Sequence, residues 1–171
     1  VEEVKKLMDT PIKKKYEQLK AAFLFSCFCG LRVSDVCKLT WRDIVQENGQ
    51  CRIEITMIKT KQPLYLPLNK QAMRWLPKRG DAQVDDKVFP EVSKAHREAI
   101  TKWAESAGIT KHVTYHVSRH TFATMALTMG ADLYTTSKLL GHKNVNTTQI
   151  YAKIVNRKKE EAVSLLDSAF E

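Results

Sequence analysis

Apolar residues near the start of the chain recur with a helical period. Tyr16, Leu19, Phe23 and Cys27 are three or four positions apart, which places them on one face of a helix. Gly30 follows as the expected C-terminal cap, because glycine readily adopts the left-handed conformation that ends a helix. We therefore predict a helix that begins at Lys13-Lys-Lys and ends at Cys29, with a short polar helix over 1–11 before it and another over about 33–38 after it.

The period changes to two in the middle of the chain. Ile53, Ile55 and Met57 alternate with polar residues, and the run 64–68 alternates in the same way. The Asn-Gly pair at 48–49 favours a hairpin turn. These patterns predict a small antiparallel sheet of three strands, at about 43–47, 51–58 and 62–67, with Lys59-Thr-Lys61-Gln as its second turn.

Helical spacing returns after a polar loop at 77–90. Val92, Ala95, Ala99 and Trp103 form one apolar face, which predicts a helix over 92–107. Further helices are predicted over 69–76 and 117–129, and a last one from Asn156 has Val163, Leu165, Leu166 and Phe170 as its apolar residues.

Two N-cap residues indicate helices near the end of the chain. Asp132 predicts a helix that ends at Gly141, and Asn146 predicts a short helix that carries Tyr151. Together with the central strands, these elements predict a mainly helical α+β domain with a small three-stranded antiparallel sheet on one side.

The charge balance suggests a polyanionic partner. Lys and Arg total 28 against 19 Asp and Glu, a net charge of +9. Basic side chains that replace the counterions of DNA gain free energy from ion release. A basic surface that only keeps the protein in solution has the same composition. No apolar run reaches membrane-spanning length, and the start of the chain is not a signal peptide.

The cysteines do not indicate a metal site or a disulfide framework. Cys27 and Cys29 lie inside an apolar run, and neither they nor Cys37 and Cys51 form a paired Cys-x-x-Cys pattern. We expect free thiols in a reducing compartment.

Several residues have the chemistry needed to hold a phosphate diester. His116 and Arg119 are three positions apart, so on a helix they share a face. An arginine donates two hydrogen bonds at fixed geometry and keeps its charge, which suits phosphate. Arg32 lies at the start of a predicted helix, where backbone N–H groups also favour an anion. The alternative for Arg119 is a structural arginine paired with a surface carboxylate.

A possible nucleophile and further hydrogen-bond donors precede and follow His116 and Arg119 in the sequence. Tyr151 has a phenol whose ordinary pKa of ~10 keeps it protonated at neutral pH, so attack on phosphorus needs a base or a cationic pocket. His142 follows a glycine at a helix end, where its ring is held rigidly. Lys59 and Lys61 lie in the predicted turn. Taken singly, each of these residues is more typical of packing or of a solvated surface.

Their order and spacing resemble the tyrosine recombinases, also called the phage-integrase family. The resemblance rests on Gly30-Leu-Arg-Val-Ser-Asp35, on His116-Val-Ser-Arg119, on Leu140-Gly-His142 and on Tyr151, and it covers about 14–155. It implies catalytic roles for Arg32, Lys59, His116, Arg119, His142 and Tyr151, with Asp35 in support and Lys61 as the alternative general acid. Asp35 could also be a first-turn acid without any other role. Ser118 stands where many members have leucine, and we expect that change to affect packing. His120 follows Arg119 directly, and we expect its side chain to point away from the site and to pack.

The resemblance also implies a reaction. Tyr151 would attack a phosphodiester of double-stranded DNA, form a 3′-phosphotyrosyl bond and release a 5′ hydroxyl, while Lys59 protonates the leaving oxygen. Neither a metal nor ATP nor another cofactor is expected. Family members act as tetramers on paired sites, although the isolated domain could be monomeric. The motifs are most similar to integrases of bacterial mobile elements, so we expect a bacterial cytoplasmic protein.

The expected domain organisation is one catalytic domain over 1–171, a fragment without the family's N-terminal core-binding domain. We therefore expect weak DNA binding. The segment after Tyr151 could pack on a neighbouring protomer or fold back on its own domain.

Three other functional classes remain open at this point. A type IB topoisomerase uses similar chemistry to relax supercoils, but it normally lacks this Gly-His and Tyr spacing. A DNA-binding module without activity would have lost one of the catalytic residues, and none is missing. A phosphatase or nuclease with a histidine intermediate is the third, and acid-stable DNA on a tyrosine would exclude it.

Overall fold

The computed structural model describes residues 1–93 and 96–170, apart from the side chains of 97, 152 and 166–170. The chain divides into two compact units, Val1–Phe122 and Ala123–Glu171. No helix in the described part of the chain is both long enough and apolar enough to span a bilayer.

The first unit is built around one buried helix. Helix α1 (Glu2–Asp9) leads through a 3₁₀ turn into α2 (Glu17–Cys29), and the four-residue α3 (Val33–Val36) follows. From Ala22 to Cys29 every residue of α2 except Phe28 is buried. Its Phe23 ring meets the rings of Trp103 and Tyr115 edge-on, each with centroids 5.7 Å apart. The helix therefore has no polar face from its middle onward, and this is why its sequence is a continuous apolar run.

The predicted sheet is confirmed. Strands β1 (Ile44–Glu47), β2 (Gln50–Thr56) and β3 (Pro63–Pro67) are antiparallel in the order β1-β2-β3. Asn48 and Gly49 have φ of 50° and 75°, the left-handed pair that a two-residue hairpin turn requires. Ile53 pairs with Leu66, and both side chains are buried on the inner face of the sheet.

The helix predicted over 92–107 begins later than expected. After α4 (Lys70–Trp75) and a loop, α5 covers Arg97–Ser106, and its buried face consists of Ile100, Trp103 and Ala104. Val92 is buried, but it lies before the helix, and its own N–H donates to the Phe89 carbonyl. Apolar spacing alone does not separate such a buried loop residue from a helix face. Ala99 is half-buried, and Ala95 lies outside the described residues.

The boundary between the units falls within α6 (Tyr115–Thr128), which starts two residues before the predicted 117. In the second unit α7 (Leu133–Leu139) has the predicted N-cap, since the Asp132 carboxylate accepts from the Thr135 N–H at 2.8 Å. Next come a 3₁₀ helix at Val145–Tyr151 and α8 at Ala152–Phe170.

Two predictions in the second unit are wrong in detail. Asn146 lies inside the 3₁₀ helix and is not its cap; the side chain of Asn144 accepts from the Asn146 N–H instead. The last helix starts at Ala152 and not at Asn156, because it continues directly from the 3₁₀ helix. Val163 and Leu165 on this helix are exposed, and the side chains of Leu166 and Phe170 lie outside the described residues.

All four cysteines are free thiols, as predicted. Burial raises the pKa of Cys29 to about 12, against the opposing effects of the Leu31 backbone and of the Arg119 charge. Burial also raises the pKa of Cys27, which lies on the same helix. These thiols therefore stay protonated and pack as small apolar groups.

Candidate active site

The segment after α2 places an arginine at the start of α3. Gly30 caps α2 with φ of 78°, and its N–H donates to the Ser26 carbonyl at 2.8 Å. Arg32 is the N-cap residue of α3, with an extended backbone. Its guanidinium donates to the Met57 sulfur at 3.5 Å, so it lies beside the end of β2. The sharp turn at Gly30 thus directs the arginine away from the core helix and toward the sheet.

Asp35 connects α3 to the turn between β2 and β3. Its carboxylate is buried, and Oδ1 accepts from the Ile58 N–H at 2.9 Å. The other oxygen, Oδ2, has no hydrogen-bond partner among the described residues. Ile58 immediately precedes Lys59, so Asp35 holds the backbone from which that lysine projects. This observation favours the supporting role for Asp35 over a first-turn acid without function.

The turn that carries both candidate lysines is closed by its own backbone. The Lys61 N–H donates to the Met57 carbonyl, and the Met57 N–H donates to the Gln62 carbonyl, both at 2.9 Å. Lys61 adopts a left-handed conformation with φ of 54°. Both Lys59 and Lys61 are exposed. The turn therefore has a defined backbone and leaves its two ammonium groups in solvent.

Helix α6 is anchored to α2 by two buried polar contacts. The hydroxyl of Tyr115 lies 3.0 Å from the Ser26 hydroxyl, and Nη1 of Arg119 donates to the Gly30 carbonyl at 2.7 Å. Arg119 is only 6% exposed. Ser118, where the family pattern often has leucine, is buried and donates to the Tyr115 carbonyl at 2.7 Å. The hydroxyl is thus satisfied within the helix, in agreement with a packing role.

His116 lies one turn before Arg119, on the same face of α6. Its ring meets that of His120 edge-on, with centroids 4.6 Å apart. The prediction that His120 points elsewhere is therefore wrong, because residues four apart on a helix are neighbours. The expected packing role of His120 agrees with this ring contact, and the four-residue spacing from His116 was the signal for it.

The pKa of His116 reports on the charges around it. Partial withdrawal of the ring from water is the largest cause that lowers this pKa, and His120, Arg119, Arg32 and Lys59 lower it further. The residue as a whole remains exposed. Three cationic side chains from separate segments thus act on one imidazole. We call Arg32, Lys59, His116 and Arg119 the cationic cluster.

The second unit holds His142 just after α7 and Tyr151 at the end of the 3₁₀ helix. Gly141 ends α7 with φ of 64°, and the His142 N–H donates to the Ser137 carbonyl at 3.0 Å. The His142 Nδ1 lies 3.0 Å from the Thr148 hydroxyl. Thr148 and Tyr151 are three apart in a 3₁₀ helix, where such residues are aligned.

Within this unit the histidine is therefore held against the face that carries the tyrosine. Tyr151 itself is 7% exposed. Thr148, which orients the ring, was not among the predicted site residues, because a threonine in a polar run has no sequence signal of its own.

The family model described as the phage integrase family matches residues 1–158. The chain belongs to this family. A tyrosine recombinase from Pseudothermotoga lettingae is 31% identical over 172 residues, covering 96% of the chain and 58% of that protein. The tyrosine recombinase XerD of Proteus mirabilis is 34% identical over 145 residues, covering 76% of the chain and 45% of that protein. The chain thus spans about half the length of the curated relatives it matches.

Solved structures show the same fold. XerH recombinase, bound to its difH substrate in a post-cleavage complex, has a TM-score of 0.70 at 21% identity and covers 96% of the chain and 50% of that protein. The catalytic domain of bacteriophage HP1 integrase has a TM-score of 0.65 at 22% identity, covering 95% of the chain and 88% of that domain. The Tn1549 transposon integrase, in complex with a circular intermediate DNA, has a TM-score of 0.65 at 18% identity, covering 92% and 62%. The tyrosine-recombinase fold predicted from the sequence is therefore confirmed.

Proposed function

We propose that this chain cuts and rejoins double-stranded DNA through a covalent bond between Tyr151 and a 3′ phosphate. The observation that carries the proposal is the cationic cluster, in which Arg32, Lys59 and Arg119 all act on His116. A phosphoryl-transfer transition state gathers negative charge on its oxygens, and cations already in place stabilise it without reorganisation. Membership of the phage integrase family supports the same reaction.

The phosphate contacts follow from the chemistry of the side chains. Arg32 and Arg119 donate hydrogen bonds to the non-bridging oxygens, and His142 donates a further one. The Gly30 carbonyl accepts from Nη1 of Arg119 and so fixes the position of this guanidinium, whose planar fork suits phosphate oxygens. Thr148 contacts Nδ1 of His142 and so orients the ring, and Nε2 of His142 donates to the phosphate.

Proton transfer needs one acceptor and one donor. His116 is mainly neutral at pH 7, since its pKa lies below the usual 6.5, so it can accept the phenol proton as Tyr151 attacks phosphorus. The bond to the 5′ oxygen then breaks, and Lys59 supplies the proton to that oxygen. A 5′ hydroxyl of another strand then attacks the phosphotyrosine and reverses both proton transfers. The energy of the phosphodiester bond is retained in the phosphotyrosine, so the reaction needs neither ATP nor a metal.

Lys59 is preferred to Lys61 as the general acid on two grounds. The charge of Lys59 contributes to the lowered pKa of His116, so Lys59 acts electrostatically on that imidazole. The backbone just before Lys59 is also held in place, because the Ile58 N–H donates to the buried Asp35 carboxylate.

The partners and the wider assembly are part of the same proposal. We propose double-stranded DNA as the substrate and a tetramer on paired sites as the active assembly. Among the solved structures of similar fold, XerH is a site-specific recombinase and the Tn1549 protein is a transposon integrase, both in complex with DNA. We propose that residues 1–171 act as the catalytic domain.

The decisive experiment traps the covalent intermediate. A pool of duplexes with randomised sequence and scattered nicks loses a short fragment after cleavage, so the covalent adduct accumulates. We expect an acid-stable DNA adduct with the wild-type chain and none with Tyr151→Phe, with equal yields in EDTA. An adduct on Tyr151→Phe, or no adduct on the wild type, would refute the assignment.

A second experiment distinguishes the two lysines. The trapped sequence is resynthesised with a 5′-thio leaving group, which departs without protonation. We expect Lys59→Ala to cleave the ordinary substrate slowly and the thio substrate at the wild-type rate. Lys61→Ala is the matched control and should behave as the wild type on both; rescue of Lys61→Ala alone would reverse the assignment.

A further inference from the structure

A cavity of about 220 Å³ in the first unit has His116 as part of its wall. Val33 and Ile100 give it apolar walls, and the Tyr115 ring closes another side. Three polar side chains, Ser93, His96 and Thr114, also line it. Among its lining residues only His116 has a catalytic role in the function proposed above.

The cavity lies beside the cationic cluster. His116 belongs to both, and Val33 directly follows Arg32 in the chain. A phosphodiester that the cluster holds carries a nucleoside on each side. One of these nucleosides therefore comes within reach of the cavity.

His96 contributes an imidazole ring to the wall of this cavity. Its ring packs edge-on against Tyr16, with centroids 5.4 Å apart, so its orientation is held. Its Nδ1 is buried and has no hydrogen-bond partner among the residues that the structure describes. The packing against Tyr16 therefore presents the His96 ring to a ligand in the cavity in one orientation.

The size and lining of the cavity fit one small planar group. Its volume is below the ~300–1,000 Å³ that drug-sized ligands occupy. Apolar walls suit the face or methyl group of a base, while an imidazole and two hydroxyls supply the donors and acceptors that base edges recognise. We propose that this cavity is a subsite for the nucleobase next to the scissile phosphate and that His96 contacts the edge of that base. The proposal rests on the proposed DNA cleavage.

Sequencing of the trapped DNA tests this subsite and needs no defined target sequence. The same randomised nicked pool is cleaved by each variant, and base enrichment is measured at every position relative to the cut. His96→Phe keeps a ring against Tyr16 but removes both nitrogens. Thr114→Val removes a hydroxyl at nearly constant shape. His112→Phe is the matched control, because His112 is exposed and does not line the cavity.

We expect base enrichment at one nucleotide flanking the cut to fall about fivefold or more in His96→Phe, the discrimination of one base-edge contact. Thr114→Val should weaken enrichment at the same nucleotide, and other positions should keep their enrichment. The control should match the wild type throughout.

Three results would overturn the inference. Unchanged enrichment in both His96→Phe and Thr114→Val means that the cavity holds solvent and no base. An equal loss of enrichment at all positions means that His96 only maintains the fold. If the wild-type chain traps no DNA, the proposed function fails and the subsite fails with it, whereas the first two results leave the proposed function intact.

Discussion

At the scale of single residues, Gly30 links the two arginines of the cationic cluster. Its left-handed backbone, with φ of 78°, directs the carbonyl that accepts from Arg119, and Arg32 is only two residues further on. An L side chain in that conformation costs about 1–2 kcal/mol. We expect Gly30→Ala to lower the free energy of unfolding by that amount and to slow adduct formation.

Asparagine tolerates the left-handed region better than alanine does. Gly30→Asn should therefore recover most of both losses in urea titrations and cleavage assays. Equal behaviour of the two variants would show that the left-handed backbone is not the reason for glycine here.

The lowered pKa of His116 gives a second prediction for a single residue. NMR titration of the wild type should give a pKa below the usual 6.5, and Arg32→Gln should raise it by removing a nearby positive charge. A folded-state pKa below the unfolded value means that the unfolded chain binds more protons between the two. The stability contribution is thus complete above pH 6.5 and declines as the pH falls below it.

His116→Gln lacks this titration. The wild type should therefore lose more stability than His116→Gln when the pH is lowered from 7.5 to 5.5, as measured by urea unfolding at both values. A His116 pKa above 6.5 would contradict the charge arrangement of the cluster.

At the scale of elements, Asp35 holds the β2–β3 turn to α3 through the Ile58 N–H. Asp35→Ala leaves that part-buried donor unpaired, and an unpaired donor away from water costs about 1–3 kcal/mol. We expect a loss of stability in this range and slow cleavage that the 5′-thio substrate partly restores, since Lys59 is displaced. Asp35→Asn keeps the acceptor and should lose less, and Asp81→Ala in the exposed loop is the control. Slow cleavage that the 5′-thio substrate does not restore would show that Asp35 does not act through Lys59.

Lys20 joins α1 to the core. Its ammonium donates to the Met8 and Thr10 carbonyls at 2.8 and 2.7 Å, at the end of α1, and lies over the rings of Trp75 and Trp103. Burial lowers its pKa, but two charged hydrogen bonds offset that cost.

We expect Lys20→Met to destabilise the chain by about 1.5–3 kcal/mol, the range for hydrogen bonds to a charged group. Amide exchange should accelerate first in α1. Lys14→Met, at an exposed lysine, is the control; unchanged exchange in α1 would mean that the lysine does not hold the helix.

At the scale of the whole molecule, the net charge of +9 should make DNA binding strongly salt-dependent. Each phosphate contact adds about 0.9 to the slope of log K against log salt. Lys59→Gln should therefore reduce the slope by about 0.9 in fluorescence anisotropy. Lys5→Gln is the control, because Lys5 is paired with Glu2 and exposed. An unchanged slope for Lys59→Gln would exclude a phosphate contact by that lysine.

The local patterns of the sequence were sufficient for most elements and for the family. The Asn-Gly hairpin, the Asp132 cap and the period-two strands depend on backbone preferences within a few residues, and all were confirmed. The order Gly-Leu-Arg, His-x-x-Arg, Gly-His and Tyr identified the family because it carries both chemistry and spacing.

Only the tertiary structure decided which groups act on which. The start of α5 depends on where a buried turn ends, which apolar spacing does not encode. The bond from Arg119 to Gly30, the burial of Asp35 beside Ile58 and the charges around His116 join residues far apart in the chain. Such contacts depend on packing in three dimensions, so the sequence by itself determined the candidate residues, and the fold determined their partners.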